Sequence, residues 1–216
     1  MSDLKDYDDK IIHFIIFNIV VSFLLITSKT AINNEIIPIS LLISILYLPI
    51  YLINNIIPRE WKFFILYPKN NHRFSYGIFS KMKSGKLNYD KKLIELDLIL
   101  KVHNMPKTEK EEDELWYKIY TEHRDTNKIR DQNRRFLLCR DYTMIILIIT
   151  LIFPVFALFL RFVPVFALFL RFEDLILIMA LIGIIEFIVF WYLARKNNEK
   201  LAKYVLEEET NNLKKG

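Results

Sequence analysis

The chain has one cysteine and four glycines among its 216 residues. The single Cys139 excludes a disulfide framework within one chain. We interpret it as an apolar thiol, with reversible palmitoylation as the alternative. The few glycines form none of the GxGxxG, GxxxxGK[ST] or GxSxG motifs. The sequence therefore lacks the loops by which many proteins hold phosphates or present a nucleophilic serine.

Histidine is also scarce, and the four histidines never stand at a metal-ligand spacing such as HExxH. This pattern predicts no metal site and no cofactor, and we expect His72 and His103 to be exposed to solvent. A site assembled from distant acids around His103 or His123 stays open as an alternative, although no local pattern favours it.

The triplet HRD at His123–Asp125 matches the start of the catalytic loop of protein kinases. In kinases the aspartate is followed five residues later by a magnesium-binding asparagine. Here Arg130 holds that place, and the chain contains no DFG motif. The sequence therefore favours a non-enzymatic protein.

Apolar residues occur in four long runs that contain no charged residue or a single one, at residues 11–27, 36–57, 142–160 and 175–194. A helix needs about 20 such residues to cross about 30 Å of hydrocarbon. The runs predict an all-α integral membrane protein with four transmembrane helices, and with a small, mostly helical cytoplasmic domain between the second and third.

Basic residues near the ends of the runs predict the orientation. They gather at both ends of residues 58–141 and in residues 195–216. The positive-inside rule then places the central domain 58–141, the tail 195–216 and both termini in the cytoplasm, in a multi-pass protein of the cell (inner) membrane. The N-terminal pair of helices occupies residues 1–57 and the C-terminal pair residues 142–194. A cleaved signal in the first run is disfavoured because acidic residues precede it.

A duplicated decapeptide lies within residues 153–172, where PVFALFLRF occurs twice. One copy is too short to cross a bilayer, so the second copy adds no further span. We interpret it as a tolerated insertion in the connection between the third and fourth spans, with a re-entrant or pore-lining element as the alternative.

The central segment shows helical patterns and one loose alternation. RFSYGIFSKM alternates and predicts a short strand or hairpin arm. Thr108 and Glu111 have the spacing of a capping box, and Leu115, Trp116, Ile119 and Tyr120 form an apolar stripe behind it. A further helix is predicted from about Asp125, continuing into the third apolar run.

Glu186 is the one acid inside the fourth run. An ionisable group within a membrane is a site hypothesis by default. At nearly the same predicted depth lie Asn18 and Thr150, which predicts a polar layer that holds the helices together. The sharper alternative is a proton- or cation-responsive site.

Five basic residues near the predicted membrane form a candidate surface for anionic inner-leaflet lipids or a partner: Arg124, Lys128, Arg130, Arg134 and Arg135. Because they lie beside the predicted bilayer, nucleic acid is a less favoured partner.

The layout resembles small multi-pass effectors of bacterial defence systems in architecture, without a diagnostic motif. We therefore expect a non-enzymatic oligomeric scaffold, sensor or membrane-disrupting effector that interacts with the lipid bilayer. Its cytoplasmic domain would bind a partner or signal, and the chain would form a homo-oligomer or bind a protein partner. The alternative is a small channel or transporter subunit that uses Glu186.

Overall fold

The computed structural model describes residues 9–14, 16, 17, 20, 52–68, 75–160 and 173–215, and describes side chains within them except at 152–160, 173–176, 178 and 179. Every regular element in these residues is an α-helix. The helices are α1 (Arg59–Leu66), α2 (Ile78–Lys83), α3 (Leu96–His103), α4 (Glu109–His123), α5 (Asn127–Leu160) and α6 (Glu173–Leu213). Residues 9–14 and 52–56 are also helical.

No helix in the described part of the chain is both long and apolar enough to cross a membrane. Charged residues adjoin or interrupt the apolar stretches of these two helices: Arg140 and Asp141 precede residue 142 in α5, and Glu186 lies inside the apolar stretch of α6. The predicted four-span membrane fold, and the inner-membrane location that followed from it, are therefore wrong.

Parts of these predictions fall on residues that the structure does not describe. The runs 11–27 and 36–57 are described only in part, at residues 11–14, 16, 17 and 20 and at residues 52–57. Of the duplicated decapeptide, α5 includes the backbone up to Leu160, and residues 161–172 lie outside the described residues.

The chain divides into two compact units, and α5 and α6 contribute to both. The first unit comprises Met1–Pro58 and Leu138–Trp191. In it, the ring of Phe14 stacks on Tyr142 at 4.1 Å between centroids. Gly183 lies so close to Thr150 that a methyl group in place of its hydrogen would overlap the threonine hydroxyl. The glycine therefore permits close approach of α5 and α6 inside this unit.

The second unit comprises Arg59–Leu137 and Tyr192–Gly216. Its core contains apolar side chains from α2, α3, α4, the first turns of α5 and the C-terminal part of α6; they include Ile78, Phe79, Ile99, Trp116, Ile119, Ile129, Val205 and Leu206. The predicted stripe of α4 is confirmed, because Trp116 and Ile119 belong to this core and Leu115 and Tyr120 pack against it.

Local signals set the ends of these helices. Thr108 caps α4, and its hydroxyl accepts a hydrogen bond from the Glu111 amide at 3.2 Å. The hydroxyl half of the predicted capping box is confirmed, whereas the Glu111 carboxylate accepts from the Lys107 amide at 2.6 Å instead of the Thr108 amide. The predicted helix after Asp125 is also confirmed, since α5 starts at Asn127 and continues to Leu160.

The predicted short strand is wrong, because Ile78–Lys83 forms α2. Gly77 (φ 66°) precedes this helix and Gly85 (φ 73°) follows it, a backbone conformation that glycine adopts at little cost. The Glu112 carboxylate of α4 accepts hydrogen bonds from the backbone amide of Ser80, at 3.1 Å, and from its hydroxyl. This contact with α4 holds the backbone of α2 in its helical form. Ile78 and Phe79 are buried in the core of the unit.

Candidate functional site

A buried glutamate lies between two histidines in the second unit. One carboxylate oxygen of Glu209, Oε1, is 2.6 Å from Nε2 of His103. The other oxygen, Oε2, is 2.6 Å from Nε2 of His123. The side chain of Glu209 is 2% exposed, and those of His103 and His123 are 13% and 11% exposed. We call these three residues the Glu209 cluster.

Each histidine of the cluster is the last residue of its helix. α3 ends at His103 because Asn104 takes a positive φ of 60° and Pro106 follows. Asparagine is among the residues in which a positive φ is most often found, and proline lacks the amide hydrogen that would extend the helix. α4 ends at His123, whose carbonyl accepts a hydrogen bond from the Thr126 amide at 3.0 Å in the turn before α5. Two helix ends therefore meet at one carboxylate.

Glu209 is placed by the apolar face of α6. Val205 and Leu206, one turn earlier, are fully buried in the core of the unit. Thr210 accepts a hydrogen bond from the Glu95 amide at 3.2 Å and donates to the Leu206 carbonyl at 2.9 Å. The buried Val205 and Leu206 on one side and the Thr210–Glu95 hydrogen bond on the other thus hold α6 in place around the glutamate.

Further polar contacts tie the same part of α6 to its neighbours. The amide of Gln132 in α5 donates to the Asn197 carbonyl at 2.9 Å. The ammonium of Lys128 is 2.9 Å from the Glu207 carboxylate and 4.0 Å from the centre of the Tyr204 ring. We call residues Tyr192–Leu213 of α6 the docked segment, because these contacts and the core hold it against the other helices of the unit.

The electrostatics of the cluster favour an ionised carboxylate. Burial raises the pKa of Glu209, but hydrogen bonds from His123 and His103 and the charge of these imidazoles lower it, and the net pKa lies below the usual range. The C-terminal ends of α3 and α4 add negative potential at the two histidines, which favours a protonated imidazole or a bound cation there. The cluster is therefore suited to hold positive charge.

A fourth side chain extends the cluster toward the surface. Ligand atoms of Glu122, His123 and Glu209 lie within 4.8 Å of one another, and Glu122 is exposed. Imidazole nitrogen and carboxylate oxygen are the donor types that bind zinc and related ions. The arrangement can hold a proton or a metal ion. It is poorly suited to act on a substrate, since Glu209 is almost fully buried and both of its oxygens are already bonded.

The expectation that His103 is solvent-exposed is wrong, because its imidazole is mostly buried against Glu209. His72 lies outside the described residues.

Sequence reasoning missed Glu209 entirely, because residues 195–216 were interpreted as a tail. A signal was present: Leu201, Val205 and Glu209 recur every four residues, which places the acid on the apolar face of a helix.

The predicted polar layer falls in the first unit. Glu186 is half-buried on α6, and burial raises the pKa of its carboxyl group. Thr150 lies against Gly183, one turn before Glu186, and its buried hydroxyl has no hydrogen-bond partner among the described atoms. Asn18 lies outside the described residues.

The five predicted basic residues have different surroundings. Lys128 pairs with Glu207. Arg124 is 58% exposed, at 3.9 Å from Asp125. Arg130 donates to the Asn127 side chain at 2.9 Å. Arg134 is half-buried, and Arg135 is exposed. Lys128 thus helps to hold the docked segment, a role that the sequence did not indicate.

Comparison of the chain with protein-family models, with curated proteins and with solved structures finds no match.

Proposed function

We propose that this protein is a non-enzymatic sensor in which a ligand at the Glu209 cluster controls the docking of the C-terminal part of α6. The observation that carries the proposal is the position of Glu209, a buried carboxylate whose two oxygens bind histidines from two different helices. Ligand binding at this point would change the attachment of the docked segment to both helices at once.

The burial of the cluster supports a sensor over an enzyme. A general acid or base must come within hydrogen-bond reach of a substrate atom. Glu209 is 2% exposed and each oxygen is already bonded, so a substrate of ordinary size cannot reach it without opening the unit. A small ion needs no such opening.

The docked segment supplies the output of the sensor. Its buried Leu201, Val205 and Leu206 contribute to the core of the unit. When the segment opens locally, these side chains become available to a protein partner. A ligand that binds only the docked state stabilises that state by mass action. Ligand binding therefore keeps these apolar side chains buried and away from a partner. The channel alternative required Glu186 to lie in a transmembrane helix and is not carried forward.

Amide hydrogen exchange on the full chain tests this proposal. Glu209→Gln removes the negative charge but keeps the shape, and we expect faster exchange at amides of residues 201–213 and unchanged exchange in α2. The matched control is Glu208→Gln, which changes the neighbouring, half-buried acid. Equal acceleration throughout the second unit would mean that Glu209 supports global stability only, and would contradict the proposal.

A further inference from the structure

We infer that the ligand of the Glu209 cluster is a divalent transition-metal ion of the zinc type, bound by His123, Glu209 and Glu122, while His103 keeps its hydrogen bond to the other Glu209 oxygen. This inference rests on the proposed function, since it names the ligand of the same site. It starts from the donor atoms that α4 and α6 bring within 4.8 Å of one another: one imidazole nitrogen and two carboxylates. His103 of α3 contacts the other oxygen of Glu209 at 2.6 Å.

The donor types select the class of ion. Calcium and magnesium prefer sites made of oxygen ligands. One histidine with two carboxylates forms a mixed nitrogen and oxygen set, which suits zinc and its first-row neighbours. The buried Glu209 carboxylate and the ends of α3 and α4 provide the negative potential that a dication needs.

The distances are compatible with metal binding after small side-chain movements. Bonds of about 2.0–2.1 Å in a tetrahedral site place ligand atoms about 3.3 Å apart. The ligand atoms of Glu122, His123 and Glu209 are within 4.8 Å of one another. Glu122 is exposed and has a flexible side chain, so it can move inward, while the His123–Glu209 contact of 2.6 Å widens slightly.

Metal binding also changes the role of the His123 imidazole. In the hydrogen-bonded cluster, Nε2 of His123 donates a hydrogen bond to Glu209. As a ligand, Nε2 must present its lone pair, so this proton leaves to solvent or the ring takes the tautomer protonated at Nδ1. The ion then replaces the His123–Glu209 hydrogen bond with bonds that join α4 to α6.

Cobalt(II) is the probe for the test, because its visible absorption reports ligand binding and zinc can displace it. On the full chain freed of metal with a chelator, we expect cobalt to give a new visible band that zinc abolishes and that magnesium and calcium leave unchanged. Glu122→Gln should weaken cobalt binding at least about tenfold, the scale expected when a group supporting a metal site is removed. Absence of a band in the wild-type chain would overturn the inference.

Glu122→Gln is the deciding variant, because Glu122 is exposed and its change does not remove a core contact. The matched control is Glu114→Gln on the same helix, which is 66% exposed and should bind cobalt as the wild type does. Equal affinity of the Glu122 and Glu114 variants would overturn the site. His123→Ala should abolish binding, and circular dichroism shows whether that variant folds.

Hydrogen exchange separates failure of this inference from failure of the proposed function. If cobalt and zinc do not bind, yet Glu209→Gln still opens residues 201–213 selectively, the metal is rejected and the sensor function stands. If zinc binds but exchange of residues 201–213 is unchanged, the site holds a metal and the sensor function is rejected. Zinc binding with slower exchange of these amides supports both.

Discussion

Nε2 of His123 lies 2.6 Å from Oε2 of Glu209, although 86 residues separate them in the chain. Hydrogen bonds that involve a charged group are among the stronger ones in proteins, and the penalty for leaving a buried polar group unpaired is large. This contact and its counterpart at His103 therefore specify where the end of α6 lies in the second unit. We therefore expect substitutions of Glu209 to lower the stability of the second unit.

Glu209→Ala should destabilise the second unit more than Glu209→Gln. The alanine leaves two mostly buried imidazoles without an acceptor, at about 1–3 kcal/mol for each unpaired group. Glutamine keeps one acceptor oxygen, and its amide can donate to the other imidazole in a suitable tautomer. Urea unfolding followed by circular dichroism measures the difference. Equal midpoints for the two variants would show that the hydrogen bonds contribute little.

The wild-type chain should lose stability at alkaline pH through ionisation of Tyr67, and Tyr67→Phe should not show this part of the loss. Burial raises the pKa of Tyr67 from 10.0 to about 12; a hydrogen bond from Asn198 and the charge of Arg195 lower it in part, and the charge of Glu199 raises it. Because the folded pKa is above the unfolded one, the phenol stabilises the fold fully below pH 10 and loses this contribution as pH rises toward about 12.

The measurement is the free energy of unfolding of wild type and variant at several pH values from 9 to 12. The difference between wild type and Tyr67→Phe should shrink steadily as pH rises above 10, and Tyr117→Phe, which changes a ring that is 47% exposed, serves as the control. A difference independent of pH would contradict the assigned cause.

Gly183→Ala should destabilise the first unit, because the new methyl group would overlap the Thr150 hydroxyl. Overpacking of this kind costs about 1–3 kcal/mol. Thr150→Ala removes the opposing hydroxyl, so the double variant should recover most of the loss. Thermal unfolding of the two single variants and the double variant forms a double-mutant cycle. Simple additivity would show that the two positions are not in contact.

Glu186→Gln should stabilise the chain at neutral pH. Burial raises the pKa of Glu186 above 4.5. The protonated carboxyl is therefore favoured by folding, and its contribution is complete below the unfolded pKa and lost as pH rises through the folded pKa. Glutamine does not titrate, so the variant should melt at a higher temperature than wild type at pH 7 and at a similar temperature near pH 4. A lower melting temperature at pH 7 would indicate that the ionised acid has a stabilising partner.

Local signals allowed parts of the fold to be predicted from the sequence. Thr108 marks the start of α4, because the cap is a contact between residues three apart, and the stripe from Leu115 to Tyr120 marks its buried face. The alternation around Ile78 predicted a strand, and this was wrong. The hydrogen bonds that hold α2 join Ser80 to Glu112, 32 residues later in the chain, so a local sequence pattern does not reveal them. The spacing of apolar residues predicts a strand only where tertiary contacts do not favour another structure.

The Glu209 cluster could not be predicted for the same reason. His103 and His123 lie 106 and 86 residues from Glu209, and no motif links positions at those separations. The membrane prediction was wrong for a different reason. It treated low charge over a long run as sufficient, whereas in the described residues α5 and α6 carry charged residues next to or inside the apolar stretches.

Native-state hydrogen exchange of the wild-type chain in increasing, sub-denaturing urea tests the central claim most directly. If docking of the α6 segment is regulated at Glu209, amides of residues 201–213 should exchange through a partial opening, with a lower free energy and a smaller urea dependence than amides of α2 and α4. If residues 201–213 exchange only with global unfolding, with the same free energy and urea dependence as the rest of the second unit, the segment is a fixed part of the core and the sensor account is wrong.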